Sequence, residues 1–278
     1  MVRGTSDGLL VEGWSKTARS APKGPGEAVL AHGGSVATRE ASTRQPEHGA
    51  TYDGDVEPRT QGFLLDLDGT LVDSVYQHVL AWQDALDLAG IELSVWRIHR
   101  KVGMSGGLFA NALLRETGRE VSADLAGELR RRHAEAYAAR SDRVTPLPGA
   151  RELLVHLSSV GAPWAIATSG YRESAGRTVE LLGVPRDVPV ITRDLVHRAK
   201  PDPDLFLSAA EKLGVDIQDC TVIGDSVWDL LAARRARALG VGVLSGGYGR
   251  EELERAGAYR VYEDPADILL HLDELGLR

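Results

Sequence analysis

Two aspartates two residues apart, Asp66 and Asp68, stand in the run Leu65-Asp66-Leu67-Asp68-Gly69-Thr70, directly after a short apolar stretch. Close carboxylates repel, which raises the pKa of one of them unless a cation is bound. One can then attack as a nucleophile while the other carries a proton. Gly69 permits a tight reversal after the pair. Three more polar clusters offer related chemistry. Thr168-Ser169-Gly170 supplies hydroxyls and a turn of backbone N–H groups suited to a phosphate. Lys200, in Lys200-Pro201-Asp202-Pro203, is a compact point charge that can bind a phosphoryl oxygen and stabilise a carboxylate nucleophile. Gly224-Asp225-Ser226-Val227-Trp228-Asp229 adds carboxylates that could complete a magnesium site, because magnesium takes oxygen ligands and keeps several waters.

Each cluster alone has a plain structural explanation. Asp-Gly is a common turn pair. Thr168, Ser169, Asp225 and Ser226 are good helix caps, and Asp229 suits the first turn of a helix. A single lysine is usually a solvated surface residue. Capping does not account for the four clusters together, because they stand in order at four successive strand ends.

The strands are legible as short apolar runs: Gly62–Leu65, Trp164–Ala167, Val188–Ile191, Cys220–Ile223 and Val241–Leu244. Between them lie helical patterns at Val75–Ala89, 149–159, 171–182, 227–239 and 265–274. Another starts at Pro203, with Asp202 as its expected cap, and runs to Leu213. This alternation implies parallel βαβ units, an α/β fold with a doubly wound parallel sheet. Ligands bind such sheets beyond the carboxyl ends of the strands, where the polar clusters sit. Residues 77–145 break the pattern. They read as almost entirely helical, including the charged stretch Ser122–Ala139, and are expected to form an inserted domain. The core domain is then 61–76 together with 146–278. Residues 1–60 have neither a 3.6 nor a 2 period, and disorder is expected there. A docking tail, or a start assigned too far upstream, are the alternatives for that segment.

A formal net charge of −8 argues against sequence-independent nucleic-acid binding, which requires basic patches. Cys220 is the single cysteine, so no disulfide can form within the chain, as suits a reducing compartment. No apolar run approaches the roughly 20 residues of a membrane helix. Met1 to Lys23 lacks the pattern of a secretory signal. The expectation is a cytoplasmic protein without nucleic-acid or membrane partners. Its oligomeric state has no signature in the sequence.

The ordered clusters resemble the motifs of the haloacid dehalogenase-like hydrolase superfamily. Leu65-Asp66-Leu67-Asp68-Gly69-Thr70-Leu71-Val72-Asp73-Ser74 is similar to the first motif almost residue for residue. Thr168 matches the second motif, Lys200 the third, and Gly224-Asp225-Ser226 with Asp229 the fourth. The resemblance extends over about residues 62 to 275. It implies a Rossmann-like core with a helical cap, as in the phosphoglycolate phosphatase and β-phosphoglucomutase-like branch. It also implies roles. Asp66 is the nucleophile, and Asp68 the acid and later the base. Thr168 and Lys200 hold the phosphoryl group, together with Ser169 and Gly170. Mg2+ is bound by Asp66, Asp225 and the backbone carbonyl of Asp68, with Asp229 binding or orienting behind them. The implied activity is hydrolysis of a small phosphorylated metabolite through an aspartyl-phosphate.

Asp68 separates phosphate chemistry from dehalogenation, because a halide leaves without a proton. Gly224-Asp225 departs from the Glu-Asp usual in phosphosugar mutases of the β-phosphoglucomutase type, which leaves the mutase as the alternative. A catalytically silent binding or regulatory protein is a further alternative, and the intact carboxylates weigh against it. Specificity is expected on the inserted helices. Arg100 and Lys101, beside Gly103, could meet an anionic substrate tail or could simply end a helix. Trp82, Trp96 and Trp164 are expected to be packing residues. The run Arg130-Arg131-Arg132 is expected to be a solvated face, as are Arg234, Arg235 and Arg237. Cys220 is expected to be a small core residue.

Overall fold

In a computed structural model describing residues 60–118 and 122–277, the apolar runs before Asp66, Thr168 and Asp225 each form a strand. The expected disorder of residues 1–60 concerns a segment that, apart from Thr60, lies outside the described residues. In chain order the elements begin with β1 (Gly62–Leu65), β2 (Val72–Asp73), α1 (Val75–Asp87), α2 (Val95–His99), α3 (Gly106–Glu116) and α4 (Ala123–Ala138). They continue with β3 (Thr145–Pro146), α5 (Ala150–Ser159), β4 (Trp164–Ala167), α6 (Arg172–Leu182) and β5 (Val190–Ile191). The chain then forms α7 (Asp204–Leu213), β6 (Cys220–Gly224), α8 (Val227–Ala236), β7 (Leu239–Val243), α9 (Arg250–Ala256), β8 (Ala258–Tyr262) and α10 (Pro265–Leu270).

Six strands pair in parallel in the order β5-β4-β1-β6-β7-β8. β1 is central, with Phe63 level with Trp164 on one side and Thr221 on the other. Both of its faces are buried, as a parallel sheet covered by crossover helices requires. Its side chains alternate between two cores. Phe63 and Leu65 join a cluster with Leu153 and Leu157 of α5, Ile166 and Ile268 of α10. Leu64 joins Phe206 and Ala209 of α7 and Ala232 and Ala233 of α8 on the opposite face. Helices therefore cover both faces, giving the expected doubly wound Rossmann-like α/β fold.

α1 to α4 form a third cluster around Val79, Trp82, Leu86, Ile98, Phe109 and Leu113. The chain enters and leaves this helical block through the antiparallel pair β2 and β3, with Val72 opposite Pro146 and Asp73 opposite Thr145. Arg140 pairs with Asp84 at 2.5 Å and joins the end of α4 to α1.

The structure departs from the sequence reading in several places. Val188 and Pro189 fall outside β5. Pro189 has no N–H to give and serves only as an acceptor from Ile166 N at 3.0 Å. Asp202 does not cap α7, whose N-cap is Pro203 without a side-chain bond. Asp202 instead lies 3.4 Å from the Arg235 guanidinium. α8 stops at Ala236 because Arg237 turns left-handed at φ 65°, and the next strand starts early, at Leu239. The last helix ends at Leu270 and continues only as a tight turn over Leu272–Leu275. Trp82 and Trp164 pack as expected, but Trp96 is 62% exposed, with the Arg97 guanidinium over its ring. Cys220 is a buried core residue.

Candidate active site

β1 delivers Asp66 to the carboxyl edge of the sheet, where its N–H donates to Ile223 O at 2.9 Å and ties it to β6. The side chain is buried. Thr70 Oγ1 lies 3.4 Å from Asp66 Oδ2 and 3.3 Å from Asp225 Oδ1, linking the ends of the two strands. Lys200 comes from the segment after β5 and is 1% exposed. Its Nζ is ion-paired with Asp66 Oδ1 and lies 2.7 Å from Asp229 Oδ1. Asp229 Oδ2 accepts from Ser226 N at 3.2 Å and Ser226 Oγ at 2.5 Å, a capping box at the start of α8. Asp229 is thus both a cap and the second anchor of Lys200. Gly224 makes this possible: a Cβ there would lie 2.3 Å from Asp229 Cβ.

Asp66, Asp225 and Asp229 bring carboxylate oxygens within 4.8 Å of one another, and all three residues are buried. One lysine faces three carboxylates. Burial pushes the Asp66 carboxyl up, Asp229 and Asp68 add to that, and Lys200 opposes it, so that it rises to about 7. Burial, then Asp229 and Asp66, push Asp225 well above its ordinary value. Burial lowers Lys200, but Asp229 and Asp66 outweigh it and hold the ammonium charged. An all-oxygen, anion-rich donor set fits a hard divalent cation. The backbone closes around Asp225 as well: a Cβ at Gly246 would lie 1.7 Å from Asp225 Oδ2, and one at Gly69, where φ is 85°, would lie 2.5 Å away.

A pH dependence follows. A folded-state carboxyl pKa above the unfolded value means that the folded chain binds more protons, so stability falls as pH rises. For Asp66 the window runs from 3.8 to about 7. In a chelator, thermal unfolding temperatures should fall across this window. Added divalent cation should raise them most at the alkaline end, where it no longer competes with protons. Differential scanning at several pH values, with and without the ion, would measure this; an ion-induced gain that shrinks as pH rises would contradict it.

Asp68 faces elsewhere. Its carboxylate accepts from Ser74 Oγ at 2.6 Å and lies 3.3 Å from His78 Nε2. Burial raises its pKa, but His78, Ser74 and Lys200 outweigh burial and hold it below the usual carboxylate range. His78 Nδ1 lies 3.2 Å from His133 Nε2, and its ring stacks on Tyr137 at 3.9 Å. Burial, then His78, keep the His133 pKa well below its ordinary value. Sequence reasoning missed Ser74 and His78. The available signal was their spacing: four residues apart at the start of one helix, they share a face.

Thr168 follows β4, and its hydroxyl accepts from Gly170 N at 3.0 Å. The neighbouring Ser169 hydroxyl is buried without a hydrogen-bond partner among the described residues. A Cβ at Gly170 would lie 3.9 Å from Asp68 Oδ2, which places this turn beside the acid. Asp66, Asp68, Thr168, Ser169 and Gly170 form one wall of a cavity of about 540 Å³. The helical block supplies the other wall, with Trp82, Met104, Phe109 and Arg130 among its residues.

Arg100 and Lys101 do not line this cavity, and their expected contact with a substrate tail is corrected. Arg100 pairs with Glu252 of α9 and lies over the Tyr248 ring at 4.2 Å. Lys101 pairs with Glu116 at 2.5 Å. The residues that do reach the cavity from that stretch are Val102, Gly103, Met104 and Gly106. The arginine run is also not one uniform solvated face, because Arg130 and Arg131 both line the cavity.

The family described as haloacid dehalogenase-like hydrolase matches residues 60–237. Hexitol phosphatase A of Escherichia coli (strain K12) is 36% identical over 181 residues, covering 64% of this chain and 80% of that protein. A phosphoglycolate phosphatase of Caulobacter vibrioides is 32% identical over 207 residues, covering 73% and 87%. The crystal structure of a hydrolase from Pseudomonas syringae superposes with a TM-score of 0.76 at 54% identity, covering 77% of this chain and 99% of that one.

Proposed function

The chain belongs to the haloacid dehalogenase-like hydrolases and is a phosphatase; on that footing we propose that it hydrolyses a small phosphorylated metabolite with magnesium, through an aspartyl-phosphate on Asp66. The observation that carries this reading is the pairing of Asp66 with Lys200 beside an Asp68 that Ser74 and His78 hold separately, both acids opening on one cavity. Lys200 opposes the protonation of Asp66 that burial favours, and so assists the carboxylate form that attacks phosphorus. Asp68, which takes up a proton when the negative charge of the bound phosphate ester opposes the pull of His78 and Ser74, donates it to the leaving oxygen, whose bond to phosphorus breaks. As a carboxylate, Asp68 then takes a proton from water, which attacks the same phosphorus and frees Asp66. Thr168 and Ser169 bind the phosphoryl oxygens, and the unpartnered Ser169 hydroxyl supports this role. Magnesium, held by Asp66, Asp225 and the Asp68 carbonyl, would supply positive charge against the phosphoryl oxygens. Asp229 fixes Lys200 and stands with Asp66 and Asp225 in the carboxylate group that could hold the metal, where it would bind the ion or orient its other ligands.

Residues 61–76 and 146–278 form the catalytic domain in this reading, and 77–145 the cap that selects the substrate. A cytoplasmic location fits the single cysteine. Among the described residues no helix is long and apolar enough to cross a membrane.

Purified protein with magnesium should release phosphate from phenyl phosphate. Chelation should abolish the release and added magnesium restore it. Turnover that survives chelation would overturn the metal-dependent reading. With a hexose 1-phosphate, an isomerised phosphosugar in place of free phosphate would establish the mutase instead.

A further inference from the structure

We propose that Arg130 reads the end of the substrate remote from the phosphate, and that this substrate is the phosphate ester of a sugar or polyol. The proposal rests on the phosphatase reading above and deepens it. Three arginines follow one another on α4, and two of them are paired. Arg131 pairs with Glu128 and Glu135, and Arg132 with Glu128. The neighbours of Arg130 three and four residues away are Ala126, Gly127, His133 and Ala134, so its own helix offers it no acid. Among the described residues its guanidinium has no hydrogen bond or ion pair, although it is half-buried and lines the cavity.

The stem of Arg130 runs along the start of α3. A Cβ at Gly106 would lie 3.6 Å from Arg130 Cδ and 4.0 Å from Trp82 Cζ2, and one at Gly107 would lie 3.8 Å from a terminal guanidinium nitrogen. The absence of side chains at 106 and 107 leaves the guanidinium room beside the aromatic wall. Five N–H donors, half removed from water and unmatched by protein, call for acceptors from a ligand.

Hydroxyls meet that need better than a second anion. A cavity of about 540 Å³ is far larger than a two-carbon acid fills. Trp82, Phe109 and Met104 give it an apolar wall against which the C–H faces of a sugar or polyol chain can pack. Glu173 also lines it, and its carboxylate has no partner among the described residues. That carboxylate accepts from hydroxyls and repels an anionic tail. Arg130 as donor and Glu173 as acceptor suit a neutral chain of hydroxyls.

The test compares wild type with Arg130→Ala and Arg130→Lys on a hexitol 6-phosphate, phosphoglycolate and phenyl phosphate. Wild type should favour the hexitol ester in kcat/KM. Arg130→Ala should raise KM for that ester about tenfold or more, with a smaller change in kcat. The effect on phenyl phosphate, which has no hydroxyl tail, should be several-fold less, and Arg130→Lys should recover part of the loss. Equal KM changes for the hexitol ester and phenyl phosphate, or a preference for phosphoglycolate, would overturn the proposal. Phenyl phosphate turnover reports separately on the phosphatase reading. If that turnover is absent, calorimetric binding of the hexitol phosphate still decides the role of Arg130: affinity about tenfold weaker in Arg130→Ala supports it, and equal affinity refutes it.

Discussion

Replacing Asp66 with Asn should lower phosphate release by at least about a thousandfold, since removal of a nucleophile costs this much or more where covalent catalysis operates. Asparagine keeps the shape of the side chain, so the packing around Thr70 and the β1–β6 edge survives. The substitution also takes one negative charge from a buried group of three that faces a single lysine. The folded protein should therefore be no less stable in chelator, even though Lys200 loses one partner. Steady-state rates and thermal unfolding on the same preparation check both halves. Comparable activity in Asp66→Asn would remove Asp66 as nucleophile, whereas lost activity with lost stability would indicate misfolding rather than lost chemistry.

Lys200→Met should be costly in a different way. Lys200 is 1% exposed, lies over the Phe206 ring at 5.2 Å, and is the cation shared by Asp66 and Asp229. Removing it leaves its carboxylates buried without compensation, which costs about 3–5 kcal/mol. Against a typical domain stability of about 5–15 kcal/mol, this is a large fraction. The urea midpoint in chelator should drop accordingly, and magnesium should recover part of the drop by replacing the missing charge. Lys200→Arg should not restore activity, because a planar fork does not fit a fully enclosed site built for a point charge. An unchanged urea midpoint in Lys200→Met would contradict the proposed charge balance.

What the sequence disclosed depended on distance along the chain. Asp66, Asp68, Thr168 and Asp225 each stand within three residues of a strand end, so local apolar runs and the parallel topology were enough to gather them. Asp229 was legible as part of the first turn of α8, but its grip on Lys200 was not, because that contact joins separate crossovers. The ion pair of Arg100 was hidden for the same reason. Its partner Glu252 lies 152 positions away, and nothing near Arg100 announces it. Arg130 is the opposite case. Its solitude was written in the neighbouring Ala126, Gly127, His133 and Ala134, but a run of three arginines invited a single explanation. β8 went unread because Tyr259 and Arg260 are exposed at the sheet edge, and the apolar run that marks an inner strand is missing there.

The most direct test of covalent catalysis is to catch the phosphoryl group on Asp66. Asp68→Asn should still transfer phosphate from p-nitrophenyl phosphate, whose leaving group needs little protonation, but should hydrolyse the adduct slowly for lack of a base. Acid-quenched protein, digested and analysed by mass spectrometry, should then carry one phosphoryl group on the peptide containing Asp66, and none when Asp66→Asn is added. Turnover by Asp68→Asn with no adduct at any quench time, or an adduct on another residue, would contradict nucleophilic attack by Asp66.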